Sequence, residues 1–495
     1  MDKTPDVSTL DATRALAPTD DLLRIIEAGG VASPRQLDEH SLRERAAPWA
    51  TRLEHGASLR AATPFAGHGA WRPAPDRPDP IALLEAADAG RLPDLVPIRW
   101  ARMAASPFAF LRGAASVMAW DLAHGPSTGL NVVIDGDAHI GNFGLFGTAE
   151  GQIIIDLNDF DEVTVAPWEW DLKRLTASVN VAAQERGLDR GERRDAVIET
   201  VKGYRWNLRR LKHMPILDLW LQHTLTNRLD GRDADLDRKS ASALAEATAK
   251  ARASNNLSML RKTAHRGADG RWAFKSRPPI LTPVEADTRA HIIDGLDAYT
   301  PTIPADRRHM LRRYHVVDVA RRIVGVGSVG TRAYLVLLMG NGDRDPLFLQ
   351  VKEATVPAHA PHVPPLPIDY RHEGLRVVFG QRLLQAAGDP LLGWTEIEGR
   401  PFYVRQMKNL KGSIDVDALG RAPFNFFAWA YGSLLARAHA RSGDAAVIAG
   451  YCGRAGGFDA AMADWAEAYG AQTRRDHGAL LEAIRSGRIK AASWS

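Results

Sequence analysis

Two groups of residues in this 495-residue chain carry side chains suited to phosphate chemistry. The first is Gly136-Asp137-Ala-His139-Ile-Gly-Asn142, followed by Ile153-Ile-Ile-Asp156 and Asp159-Phe-Asp161. The second is Gly325-Val-Gly327-Ser328-Val-Gly330, followed by Leu349-Gln-Val-Lys352. Phosphoryl transfer to a hydroxyl asks little covalent work of a protein. It needs a carboxylate to orient and deprotonate the acceptor, and oxygen ligands for a Mg²⁺ ion bridging the phosphates. In this reading Asp137 is the base. Asn142, five residues on, and Asp156, fourteen further, are metal ligands. Asp159 and Asp161 are close rivals to Asp156. Mg²⁺ retains several waters, so one carboxylate and one amide suffice. His139 reads as a loop-packing residue. A calcium loop starting at Asp135 fails, because its sixth position is Ile140 and its twelfth Phe146.

A Gly-x-Gly-x-x-Gly loop lets backbone N–H groups lie against phosphates without side-chain clash. The dinucleotide version of that triplet needs a helix next. Here Thr331 to Leu338 reads as strand, which favours a loop between two antiparallel strands. Gly325, Gly327, Ser328 and Gly330 are then phosphate-side residues, and Lys352, 22 residues after Gly330, is the phosphate-binding cation. Its expected acidic partner is Glu373, with Gln381 a neutral alternative. Glu353 points to the opposite face of its strand. Backbone groups around Gln406 to Lys408 are placed to contact adenine.

The elements that must position these groups follow from periodicity. Asn131–Ile134 and Ile153–Ile155 read as adjacent strands, and apolar residues at 108, 111, 115, 118 and 122 as one helix. Helix continues from Leu172 to near Gly187, and most of 190–265 is helical. From 315 the texture turns to β-branched runs at Ile323–Val326, Ala333–Leu338 and Leu347–Val351, a small antiparallel sheet. Val377–Ala387 reads as helix, Pro401–Val404 as strand, and 427–438 as a long helix closing at Gly443. The organisation expected is an arm over 1–60, partly disordered, a catalytic segment over 61–305, a β-rich nucleotide-binding part over 306–412, and C-terminal helices over 413–495.

The pattern Gly-Asp-x-His-x-Gly-Asn, then apolar-Ile-Asp, resembles aminoglycoside and choline phosphotransferases. In that group a further Asp follows in a Pro-aromatic-x-x-Asp-Leu context, matched by Pro167-Trp-Glu-Trp-Asp171-Leu. The resemblance implies that Asp171 braces the catalytic loop. It also implies an α+β, two-lobed protein-kinase-like fold. The nucleotide half precedes the catalytic half in ordinary kinases and follows it here, so the fold expected is circularly permuted. The whole chain, with Leu95-Val-Pro-Ile-Arg99 and Ser106-Pro-Phe-Ala-Phe-Leu-Arg-Gly113, is also similar to a bacterial family known as a domain of unknown function.

Composition sets outer bounds. Hydrophobic residues at 45% and charged residues at 25% are ordinary for a globular protein. A net charge of +4 is too small for a nucleic-acid footprint. A single cysteine, Cys452, excludes an intrachain disulfide and fits the cytoplasm. Neither a leader nor a membrane span is expected. The expected function is ATP- and Mg²⁺-dependent phosphorylation of a hydroxyl on a small molecule. The alternatives are a nucleotide-binding pseudokinase, AMP transfer on the same fold, and a metal-dependent phosphohydrolase built on Asp137, His139 and the 156–161 carboxylates.

Overall fold

The computed structural model describes residues 47–224, 238–323, 325–363, 372–407, 410–454 and 456–492. Among the described residues six short helices come first: α1 (Trp49–Ser58), α2 (Phe65–Gly69), α3 (Pro80–Ala87), α4 (Val96–Ala104), α5 (Pro107–Gly113) and α6 (Ala115–Ala123). Residues 55–80 are thus not the extended connector their Gly and Pro content suggests. Asp79 starts α3 by accepting the Ile81 N–H, and Ser106 starts α5 by accepting that of Ala109. The single helix expected over 107–122 is two. Arg99 donates to the Gly113 carbonyl, and the chain leaves helical geometry at Ala114 (φ −107°, ψ 39°).

Strands β1 (Asn131–Ile134), β2 (Phe143–Gly147), β3 (Ile153–Leu157) and β4 (Thr164–Pro167) follow. They form two antiparallel pairs, β1 with β4 and β2 with β3. Helices α7 (Glu169–Glu185) and α8 (Arg190–Leu211) come next, the second opened by a reciprocal Asp189–Glu192 capping box. The insert α9 (Ile216–Leu221), α10 (Arg238–Ala253) and α11 (Asn256–Thr263) leads to a hairpin, β5 (Ala264–Arg266) and β6 (Trp272–Phe274).

The antiparallel sheet has six strands in the order β11-β12-β10-β9-β8-β7. They are β7 (Leu281–Pro283), β8 (His315–Arg322), β9 (Ala333–Met339), β10 (Pro346–Glu353), β11 (Gly393–Ile397) and β12 (Arg400–Gln406). Helices α12 (Ala286–Tyr299) and α13 (Ala305–Leu311) lie between β7 and β8, and α14 (Glu373–Leu384) between β10 and β11. The boundary expected at 305/306 is therefore late, because β7 and α12 already belong to this sheet. Its first glycine-loop strand ends at Arg322, not within 323–326. One face packs Val319, Val336, Leu349, Val351 and Val404 against Ile292, Leu296 and Tyr299 of α12. On the other face Leu335, Leu337 and Phe348 are covered by Met259, Leu260 and Phe274 from the insert. Cross-strand pairs Gln350–Arg405 and Lys352–Tyr403 lie on that second face, nearer the catalytic segment.

The C-terminal helices are α15 (Arg421–Ser442), α16 (Ala445–Cys452) and α17 (Gly457–Arg485). Helices α8 and α15 cross at two glycines. A Cβ on Gly203 would overlap the Trp429 carbonyl oxygen, and one on Gly432 the Thr200 carbonyl oxygen. We expect Gly432→Ala to lower the unfolding free energy by about 1–3 kcal/mol. Gly478→Ala, at an exposed position of α17 with open space around it, should raise it by up to ~1 kcal/mol. Urea denaturation of both variants checks the opposite signs; equal midpoints would mean the crossing is not close-packed.

Candidate active site

The loop between β1 and β2 is held from below by α7. Asp171 accepts the backbone N–H groups of Asp135 (2.7 Å) and Gly136 (2.9 Å) on its two carboxylate oxygens. His439 of α15 approaches the same carboxylate at 3.2 Å, and its other ring nitrogen meets Tyr204. Asp171 thus does brace this loop. Gly136 adopts φ 79°, and a Cβ there would overlap the Glu162 carbonyl oxygen, so the loop lies flush on the segment after β3.

Asp137 accepts two hydrogen bonds from Arg174, Nε at 2.8 Å and Nη2 at 2.5 Å. Its other oxygen is 3.7 Å from His139 Nε2. Burial pushes its carboxyl up to about 7, Arg174 opposes that, and Glu162 and Asp159 add to it. Asn142 donates to the Asp137 carbonyl at 2.7 Å, which fixes the turn. Arg174 is a residue that motif spacing did not single out. It lies three residues after Asp171 on one helix, so both reach the same loop, and that spacing is the signal.

Lys352 is 2% exposed and ion-pairs with Asp161, with Asp159 Oδ1 3.9 Å away. Tyr403 donates to the second oxygen of Asp161 at 2.8 Å. Burial alone would favour the neutral amine, but Asp159 and Asp161 hold the ammonium well above its ordinary range. Asp159 has one oxygen buried without a partner. Burial would push its carboxyl up, but Lys352, Arg405 and Lys411 keep it below the ordinary value.

Three expected roles move. Asp156 is fully buried, ion-paired with Arg437 of α15, and accepts the Ala386 N–H at 2.8 Å. Its oxygens are spent inside the protein, so it supports the fold, whereas Asp159, three residues on, keeps one oxygen without a hydrogen-bond partner. Glu373 pairs with Arg376 one turn along α14, not with Lys352. Arg376 ties α14 to the segment after β3 by donating to the carbonyls of Asp161 and Val163, and also donates to that of Thr355 after β10. Gln381 donates to Gln385 instead, and Glu353 pairs with Arg332 at 3.2 Å. Lys352 draws its partners from the catalytic segment because its face of β10 points there.

The glycine loop lies over the helices that precede the catalytic loop. Its carbonyls are occupied: Arg102 donates to Gly325, Arg91 to Val329 (2.6 Å), and the Leu92 N–H to Gly330 (2.8 Å). Gly325 and Gly330 take φ 66° and 96°. Ser328 turns the loop, its carbonyl accepting from Thr331. A Cβ on Gly327 would sit 3.2 Å from the Arg112 carbonyl oxygen. The Gln406 N–H, expected to be open to a base, donates to Asp389 at 2.5 Å. Gln406, Asp389, Arg405, Asn158 and Gln385 line a small recess on the same face of the sheet as Lys352. Lys408 lies outside the described residues.

A family model matches residues 91–483, and its family is described as an uncharacterized protein conserved in bacteria, DUF2252. The chain belongs to this family. The match covers both loops, Lys352 and the carboxylates of this site. No match was found among curated proteins or among solved structures. No described helix is long and apolar enough to cross a membrane.

The two aspartates separate by experiment. Asp156→Ala strands the buried Arg437 and should cost about 3–5 kcal/mol of stability. Asp159→Ala, at a partly exposed position, should stay within about 1 kcal/mol of the parent. Chemical denaturation of the two variants decides; equal losses would return Asp156 to the list of ligand candidates.

Proposed function

We propose that this protein is an ATP- and Mg²⁺-dependent phosphotransferase acting on a hydroxyl, on a two-lobed, kinase-like fold whose halves are circularly permuted. The observation that carries this reading is the closure of Lys352 onto Asp161 and Asp159. A strand-end lysine next to a glycine-loop hairpin meets the carboxylates that follow the Asp137 loop, 191 positions earlier for Asp161. The order β11-β12-β10-β9-β8 supports it too. It places the loop hairpin at one side, the lysine strand at the centre, and the two strands after α14 at the other.

The residues fit a Mg²⁺ ion modestly. Among the described residues no group of three His, Cys, Asp or Glu side chains stands ready as a metal cage. Asp159 with its unpartnered oxygen and the Asn142 amide supply hard oxygens of the kind Mg²⁺ takes when phosphates and water complete its shell. The ion, when bound, would neutralise phosphate charge. The chain's own residues do the rest. Asp137, oriented by Arg174, receives the acceptor hydroxyl proton. The acceptor oxygen bonds to the γ-phosphorus as the bond to the ADP oxygen breaks. Lys352 offsets charge on the departing diphosphate, an electrostatic effect worth roughly a few kcal/mol in sites of this kind.

Calorimetry with MgATP and transfer from γ-labelled ATP test the roles together. Asp159→Ala should weaken Mg²⁺-dependent ATP binding by tenfold or more. Asp137→Asn should keep that binding and lower label transfer by at least a hundredfold. Label arriving from the α position instead would establish AMP transfer, and ATP binding without either transfer a regulatory role. Absence of ATP binding in the parent protein would remove the phosphotransferase reading.

A further inference from the structure

Arg112 occupies the space between the two loops. Its carbonyl oxygen abuts Gly327, and a Cβ on Gly141 would lie 3.9 Å from its Nε and 3.2 Å from the His139 ring. His139 in turn is 3.7 Å from Asp137. The side chain of Arg112 therefore lies against the Gly141 and His139 part of the Asp137 loop, and its backbone against the glycine loop. The cations around it are committed. Arg91 and Arg102 donate to loop carbonyls, and Arg174 grips Asp137 and the Leu111 carbonyl. Arg112 is half-buried, its Nε is closed off from solvent without an acceptor, and among the described residues no carboxylate pairs with it. A guanidinium presents donors in a planar fork that matches a carboxylate or phosphate edge. Half-buried, with a histidine and Arg102 near it and its Nε without an acceptor, this guanidinium is suited to receive an anion.

We infer that Arg112 binds an anionic group on the acceptor: the molecule whose hydroxyl meets Asp137 carries a phosphate or a carboxylate beside that hydroxyl. This inference rests on the phosphotransferase reading for the word acceptor, but the anion site itself is tested without nucleotide. Nearby His139 does not compete for the anion. Burial, then Arg112 and Arg174, keep its imidazole well below the ordinary value and hence neutral.

The test titrates the full chain by calorimetry with inorganic phosphate, glycerol 3-phosphate, glycerate and neutral glycerol. At least one anion should bind and glycerol should not, with the phosphate and carboxylate arms showing which group is preferred. Arg112→Gln should weaken the bound anion by tenfold or more and Arg112→Lys by less, with melting temperatures unchanged. Arg332→Gln, whose parent side chain is paired with Glu353, should leave anion binding as it was. If Arg112→Gln does not fold, the Arg112→Lys comparison decides in its place. No anion binding to the parent protein, or binding that survives loss of Arg112, would overturn the inference. So would an equal loss of MgATP affinity in the Arg112 variants, which would put this arginine on the nucleotide. Anion binding through Arg112 in a protein that binds no ATP would keep the site and remove only the phosphotransferase reading.

Discussion

An ammonium group on the face of a β-sheet, 2% exposed, has to be paired or it would give up its proton. Lys352 solves this with carboxylates from a different part of the chain, and much of the architecture follows. The sheet must dock on the segment after β3. Tyr403, its cross-strand neighbour, must turn its hydroxyl to the same Asp161. Arg376 then fixes α14 to the backbone carbonyls of that aspartate and of Val163. The pair adds little net stability, because desolvation offsets most of the attraction. What it fixes is register, since only one docking satisfies both charges.

Around this pair the site is crowded with negative charge. Asp135 is buried with both oxygens unpartnered. Burial, and then the nearby Asp171, Asp137 and Asp159, push its carboxyl well above the ordinary value. Glu162 is pushed the same way by burial while accepting the Ala358 N–H. Arg174, Lys352 and Arg91 answer from three separate elements. A surface with that much opposed charge at close quarters does not relax freely when one group is removed. Substitutions here will therefore couple strongly to one another.

The local chemistry was legible in the sequence wherever backbone and side chain act together. The Asp137–Asn142 spacing and the hairpin ahead of Lys352 rest on local geometry, and Asp171 as the brace of the Asp137 loop was implied by the phosphotransferase resemblance. What was not legible depended on pairing between distant elements. Asp156 looks like a ligand from its strand-end position, and only Arg437, 281 residues later, shows that its charge is already used. Glu373 has the right separation from Lys352 along the chain, yet Arg376 sits one turn away and claims it. The missed strand β7 has three residues and no periodicity to read. The break between α5 and α6 depends on Arg99 reaching a carbonyl from another helix.

Helix α15 supplies both Arg437 for Asp156 and His439 for Asp171. A ribosome completes those two residues only after most of the chain has been made. Until then the β3 end carries a buried carboxylate with no counter-charge, and the loop bearing Asp137 lacks half the support of its brace. The Asp137 loop can therefore be set in place only late in synthesis, although Asp137 to Asp161 emerge within the first third of the chain. A truncated translation product ending before α15 would carry every candidate side chain of the Asp137 segment and lack the α15 contacts that set them in place.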